Sequence, residues 1–137
     1  MKTYQNEYVQ VQVDCSVHLL QQRWTGIPDS ENFRDASLAI LALAKRHQVM
    51  RWEIDIQQLR LFNPMDLHWF IEHWLPQSNS GLLQKAKIAI ILKDTNQFSK
   101  LGTDMLIRAS MAVNPNLSCR YFLAGEDSDD WLRSSFK

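Results

Sequence analysis

His68, Glu72 and His73, in the run HWFIEHW, are the residue types in this chain that could bind a metal or move a proton. Their spacing is His-x-x-x-Glu-His, one residue longer than the H-x-x-E-H pattern of inverted zincins. On a helix of about 100° per residue, positions five apart point about 140° away from each other, so the two imidazoles do not converge on one ion. His68 and Glu72 do share a face at i,i+4, where a surface pair is the default. Asp55 lies upstream and reads either as a hydrogen-bonded structural acid or as one half of an acid–base pair with His68.

The other chemistries fare no better. Cys15 and Cys119 have neither metal nor redox spacing. A Cys–His pair is open by spacing alone, although Cys119 sits in an apolar segment where thiols are usually inert. Gly26, Gly81, Gly102 and Gly125 are too scattered to cradle a phosphate, and no G-x-S-x-G elbow occurs. No catalytic residue, metal or cofactor is therefore assigned, and the expectation is a non-enzymatic protein.

Composition narrows the partners. Fifteen acids balance fifteen bases over 137 residues, so no net field draws the chain to nucleic acid or an anionic membrane. The length suits one domain, residues 1–137, with a core that needs no staples. The opening MKTYQNEYVQ is too polar for a signal peptide, and no run approaches membrane-spanning length. Two distant cysteines fit a reducing cytosol, so the expected location is cytoplasmic.

These residues are positioned by alternating strands and helices. In Arg51–Pro76, RWEIDIQQLRLFNPMDLHWFIEHWLP, the apolar Trp52, Ile54 and Ile56 alternate with Glu53 and Asp55, the period of a strand. Asp55 is expected at that strand's carboxyl end, where open α/β sheets place ligands, followed by a loop over Gln57–Phe62. Asn63 then Pro64 reads as an N-cap and first helical residue, with Asp66 favoured in the first turn. On the helical wheel Leu67, Phe70, Ile71, Trp74 and Leu75 face the sheet, while Met65, Trp69 and His73 fall opposite, with Glu72 between. Trp69 is thus predicted on the wet side. Either the loop Gln77–Leu83 folds back over it, or it belongs to a docking surface, since Trp is enriched at interface hot spots.

Before this unit, Tyr8–Val13 and Val17–Trp24 read as two antiparallel strands around Asp14-Cys15-Ser16, the first of them at the sheet's edge. A helix over about Ser30–Gln48 follows, acidic early and basic late, with His47 near its end to satisfy terminal carbonyls. Pro76 ends the central helix or kinks it, and Gln77–Gly81 is loop-forming. Ala86–Leu92 reads as a central strand covered on both faces. A helix near Ser99–Val113 with a weak point at Gly102, a break at Asn114-Pro115-Asn116, a fifth strand at Cys119–Leu123, and a terminal helix anchored by Trp131, Leu132 and Phe136 complete the order. This alternation predicts a mostly parallel sheet with right-handed crossovers.

The hairpin, DSENFRDA entering a helix, WEIDIQQL before a capped helix ending EHWLP, then KIAIIL and CRYFLAGEDSDDWL together resemble the SpoIIAA-like, STAS-related family, in particular its short single-domain bacterial members. The resemblance spans roughly residues 5–135. It implies an α/β fold with a mixed, mostly parallel five-stranded sheet, an N-terminal β-hairpin and about four helices. In anti-sigma-factor antagonists of this fold, an Asp-ended strand leads to a phosphorylatable Ser at the next helix start. Asp55 matches the acid, but no Ser or Thr occurs from Gln57 to Trp74, so that phosphorylation switch is missing here.

Two expectations follow. One is a regulatory or protein-interaction domain that binds a protein partner or a second copy through Asp55, Phe62, Asn63, Met65, Trp69, Glu72 and His73. The other is a binder of a small apolar or lipid-like ligand near Trp52, Phe62 and Phe70, beside Asp55.

Overall fold

The computed structural model describes residues 2–78, 86–96, 103–113 and 117–135. Six strands form one sheet in chain order: β1 (Lys2–Gln5), β2 (Val9–Asp14), β3 (Leu19–Gly26), β4 (Arg51–Leu59), β5 (Lys87–Leu92) and β6 (Ser118–Leu123). β1–β2 and β2–β3 pair antiparallel, whereas β3–β4, β4–β5 and β5–β6 pair parallel.

The sheet therefore has six strands where the sequence pattern predicted five, and Val9–Asp14 is second from the edge rather than at it. Lys-Thr-Tyr-Gln carries no apolar alternation, so β1 could not be seen beforehand. Its turn also lacks glycine. Asn6 makes it instead, its side-chain oxygen accepting from the backbone N–H of Tyr8 (2.8 Å) and Val9 (3.1 Å).

Helix α1 (Ser30–Arg46) starts at Asp29, whose carboxylate accepts from the Asn32 N–H at 2.8 Å. α2 (Pro64–Trp69) is capped by Asn63 as predicted, with Met65 N–H donating to Asn63 Oδ1 at 2.9 Å. The helix does not stop at Pro76. It widens into a π-helical turn over Phe70–Trp74 and resumes as α3 (Leu75–Ser78). Pro76 has no N–H to return to the carbonyl four residues back, and its ring crowds that carbonyl, which favours the wider turn. α4 (Thr103–Val113) and α5 (Ser128–Arg133) follow. Residues 79–85, 97–102, 114–116 and 136 lie outside the described residues, and with them most of Gln77–Gly81, Gly102, the Asn-Pro-Asn break and Phe136.

The strand residues divide by parity between two faces. Val9, Val11, Leu20, Trp24, Trp52 and Ile90 belong to the larger buried cluster, with α1, α2 and α3. Leu19, Ala89, Ile91 and Phe122 look the other way and pack with Leu132 of α5.

Candidate functional site

The sheet face under α1, α2 and α4 does not close completely. A chamber of about 110 Å³, partly open to solvent, lies between Trp24, Trp52, Ile54 and Ile90 of the sheet and Phe33, Phe70, Trp74, Leu106 and Ile107 of the helices. Ordinary cores hold few voids larger than one water. This one has room for several waters but offers them almost no polar partners, so it is unsuited to water.

Its walls are rigid and aromatic. Phe33 stands edge-on to Phe62 at 5.3 Å, and Trp24 lies 5.5 Å from Phe33. Phe70 and Trp74, at the two ends of the π-helical turn, stack at 4.5 Å with their planes 13° apart. Trp74 donates its indole N–H to the Ser37 carbonyl of α1 at 2.7 Å, and Trp24 donates to the buried Gln22 Oε1 at 2.7 Å. Ser37 and Ser110 turn their hydroxyls back to the carbonyls of Phe33 and Leu106, both at 2.8 Å. Trp52 differs. It is 2% exposed, and no acceptor among the described residues meets its Nε1.

Cys119 also lines the chamber, and burial pushes its thiol up to about 12, which leaves it protonated and unreactive at neutral pH. Burial likewise raises the neighbouring Tyr121 phenol, with Cys119 and Asp104 adding to it. No charged side chain is among the described residues that line it.

The site residues expected from sequence scatter. Phe62 is half-buried in the aromatic wall. Asn63 is the exposed cap, and Met65 is 69% exposed beside it. Trp69 is not on a wet ridge. It is half-buried, 6.4 Å from Phe33, with the Arg34 guanidinium 5.3 Å over its ring, so α1 packs against it; residues 79–83 of the loop lie outside the described residues. Glu72 and His73 are exposed. Glu72 pairs with His68 at 2.9 Å, the surface pair that the spacing predicted.

Asp55 is the largest departure. β4 runs on to Leu59, so Asp55 lies inside the strand rather than at its end, and the predicted loop loses its first three residues to the strand. Its carboxylate lies 3.6 Å from Arg23 Nε and accepts from the Gln57 N–H at 3.0 Å. That is the face away from the chamber, beside Gln10, Gln12, Gln21 and Glu53. The apolar wall and the acid, expected together, are separated by the sheet.

The sequence reading also passed over Asp66, taken only as a dipole partner. It is 1% exposed, accepts from Ser30 Oγ at 3.0 Å and lies 3.4 Å from Arg34 Nε, tying α2 to α1. Cys15 Sγ and His47 Nδ1 come within 3.7 Å, a pairing spacing alone left open. Among the described residues no three His, Cys, Asp or Glu gather as metal ligands, and no helix is long and apolar enough to cross a membrane.

Order, pairing and helix placement define the class: this chain has the SpoIIAA-like α/β fold. A solved structure that shows it is an uncharacterised protein of the DUF3478 family from Shewanella loihica, described as having a SpoIIAA-like fold. It superposes with a TM-score of 0.63 over 94% of this chain and 98% of its own, at 16% identity. At that identity the likeness establishes architecture alone. No family model matches the sequence, and no curated protein does.

Proposed function

We propose that this protein is a non-catalytic domain that binds a small apolar molecule in the chamber between sheet and helices. The observation that carries this is the chamber itself: largely aromatic and aliphatic walls, no charge among the described lining residues, and a volume a packed core would not leave. Side chains elsewhere on this sheet face are well buried, so the void is local. Both cysteines are free thiols, which supports a reducing, cytoplasmic setting.

The test is binding of benzene, a single uncharged ring, to the purified chain. The melting temperature should rise with benzene concentration, and Ile107→Trp, which fills the chamber from α4, should abolish the rise while the protein stays folded by circular dichroism. An unchanged rise in that variant places the benzene elsewhere and removes the proposal.

A second reading is a regulatory domain that docks a protein partner or a second copy of itself. Its support is the exposure of Leu61 (45%) and Met65 (69%) on either side of the Asn63 cap. Trp69 is too well packed to probe it. Met65→Lys should shift a self-associating sample toward monomer by size-exclusion chromatography; an identical elution profile with and without the change removes this reading.

A further inference from the structure

Away from the chamber, Cys15 does not stand alone in the turn between β2 and β3. Its sulfur lies 3.7 Å from Nδ1 of His47, 32 residues further on at the C-terminal cap of α1. Sulfur is larger than oxygen, so that separation is within reach of a hydrogen bond. The ring is held there from two sides. His47 N–H donates to the Leu43 carbonyl at 3.0 Å, and the His47 carbonyl, which can only accept, takes a bond from His18 Nδ1–H at 3.2 Å. His18 adopts the left-handed backbone at φ 54°, and its carbonyl accepts from Met50 N–H at 2.9 Å and Arg51 N–H at 3.0 Å. Turn, helix end and the start of β4 are thus tied together around the pair. The two nitrogens of the His47 ring differ. Nε2 is buried with no partner among the described residues, whereas Nδ1 meets the exposed thiol. A neutral imidazole carries one proton. On Nε2 it would be an orphaned N–H in the interior, the rarer kind of orphan; on Nδ1 it has the sulfur as acceptor.

We propose that Cys15 is a reversible S-thiolation site for low-molecular-weight disulfides, with His47 Nδ1–H donating to the Cys15 thiolate. The thiolate is the attacking species, and it accepts a hydrogen bond far better than S–H does, so the His47 bond tightens as the proton leaves. The exchange balances without a further reagent. Cys15 gives its proton to water, and its sulfur attacks one sulfur of the disulfide. The old S–S bond breaks as the new one forms, and the leaving thiolate takes a proton from water. Cys15 is oxidised and half of the disulfide is reduced. Cys119 does not resolve the adduct, because it lines the chamber and keeps its proton to about 12. An external thiol therefore reverses the modification. The charged and titratable neighbours are Asp14 and His18 from the hairpin, Lys45 and Arg46 from the last turn of α1, and Arg133 of α5, 3.9 Å from Asp14 and paired with Asp129. Bonds from the Ser16 hydroxyl and N–H hold the Asp14 carboxyl below its ordinary range, so its charge is constant from pH 6 to 10.

The experiment reacts the full chain with hydroxyethyl disulfide, which is uncharged and so is not steered by those neighbours, between pH 6 and 10. Mass spectrometry locates and times the adduct, which should form on Cys15 and disappear with excess dithiothreitol. His47→Phe keeps a ring and removes the N–H. It should slow the reaction about tenfold at pH 7, and the two rates should converge by pH 10, where the thiol ionises without help. A ring that merely shaped access to the sulfur would leave the same ratio at every pH. In the unsubstituted protein, nitrogen chemical shifts should place the His47 proton on Nδ1 at pH 8, a readout that does not depend on the variant folding. Equal rates in the two proteins at pH 7, a ratio that does not change with pH, a proton on Nε2, or an adduct forming first on Cys119 each overturns the proposal.

Discussion

The two faces of this sheet are built from alternate residues of the same strands, yet they solve burial in different ways. On one face Trp24, Trp52, Ile54 and Ile90 meet aromatic residues from α1 and the α2–α3 helix, and bulky rings that cannot interdigitate fully leave a chamber. On the other, Gln10, Gln12, Gln21, Arg23, Glu53 and Asp55 lie open, and a small apolar cluster is covered by one short helix. That helix, α5, has six residues, too few to be stable alone. Cations from the sheet hold it: Lys87 Nζ donates to the carbonyls of Trp131 and Ser134, both at 3.0 Å, and Arg51 Nε to that of Leu132 at 2.7 Å. These are the unpaired carbonyls at a helix C-terminus, where positive charge is favoured. The difference teaches that shape complementarity governs one face and charge placement the other, so the two should respond differently to substitution.

The sharpest test of that contrast is Trp74→Ala. It removes a buried ring, its stack on Phe70 and its bond to Ser37, and should cost about 3–5 kcal/mol by urea denaturation. Lys87→Met on the opposite face should cost less, about 2 kcal/mol, because it deletes charge-assisted bonds and leaves the volume filled. Hydrogen exchange should then localise the loss to α5. A uniform loss across the sheet would break the comparison. Arg23→Gln, opposite Asp55 on the open face, should change stability by under about 1 kcal/mol, since the Arg23 side chain is 64% exposed.

The thiols give the smallest effect near neutral pH and a clear sign at high pH. Ellman's reagent should label exposed Cys15 in the native protein and Cys119 only after unfolding. Cys119 keeps its proton to about 12 when folded, whereas an unfolded thiol releases it near 9. Between those values the unfolded chain holds fewer protons, so stability falls as pH rises, and Cys119→Ala should flatten that part of the curve.

Much of the fold was legible from local pattern. Alternation marked β2 and β4, an unbroken apolar run marked β5, and Asn63-Pro64 marked the start of α2, because these signals depend only on neighbours along the chain. The site was less so. Trp69 was assigned to the wet side by a wheel that assumes an uninterrupted α-helix and no neighbouring helix, and both assumptions fail: the π-helical turn begins at Phe70, and α1 supplies Phe33 and Arg34. Pro76 was the available signal for the distorted turn. Asp55 was misplaced by three strand residues, and since sheet residues alternate in facing, it lies across the sheet from the aromatic wall it was expected to join.

By itself, then, the order of residues determined which segments extend, which coil, and which side of each strand is greasy, because propensity, capping and periodicity act over a few positions. Only the tertiary structure decided that Trp24, Phe33, Trp52 and Trp74, spread over fifty residues of chain, surround a space none of them fills. A void is a mismatch between side-chain volumes and the room between packed layers, and that quantity does not exist until the layers meet.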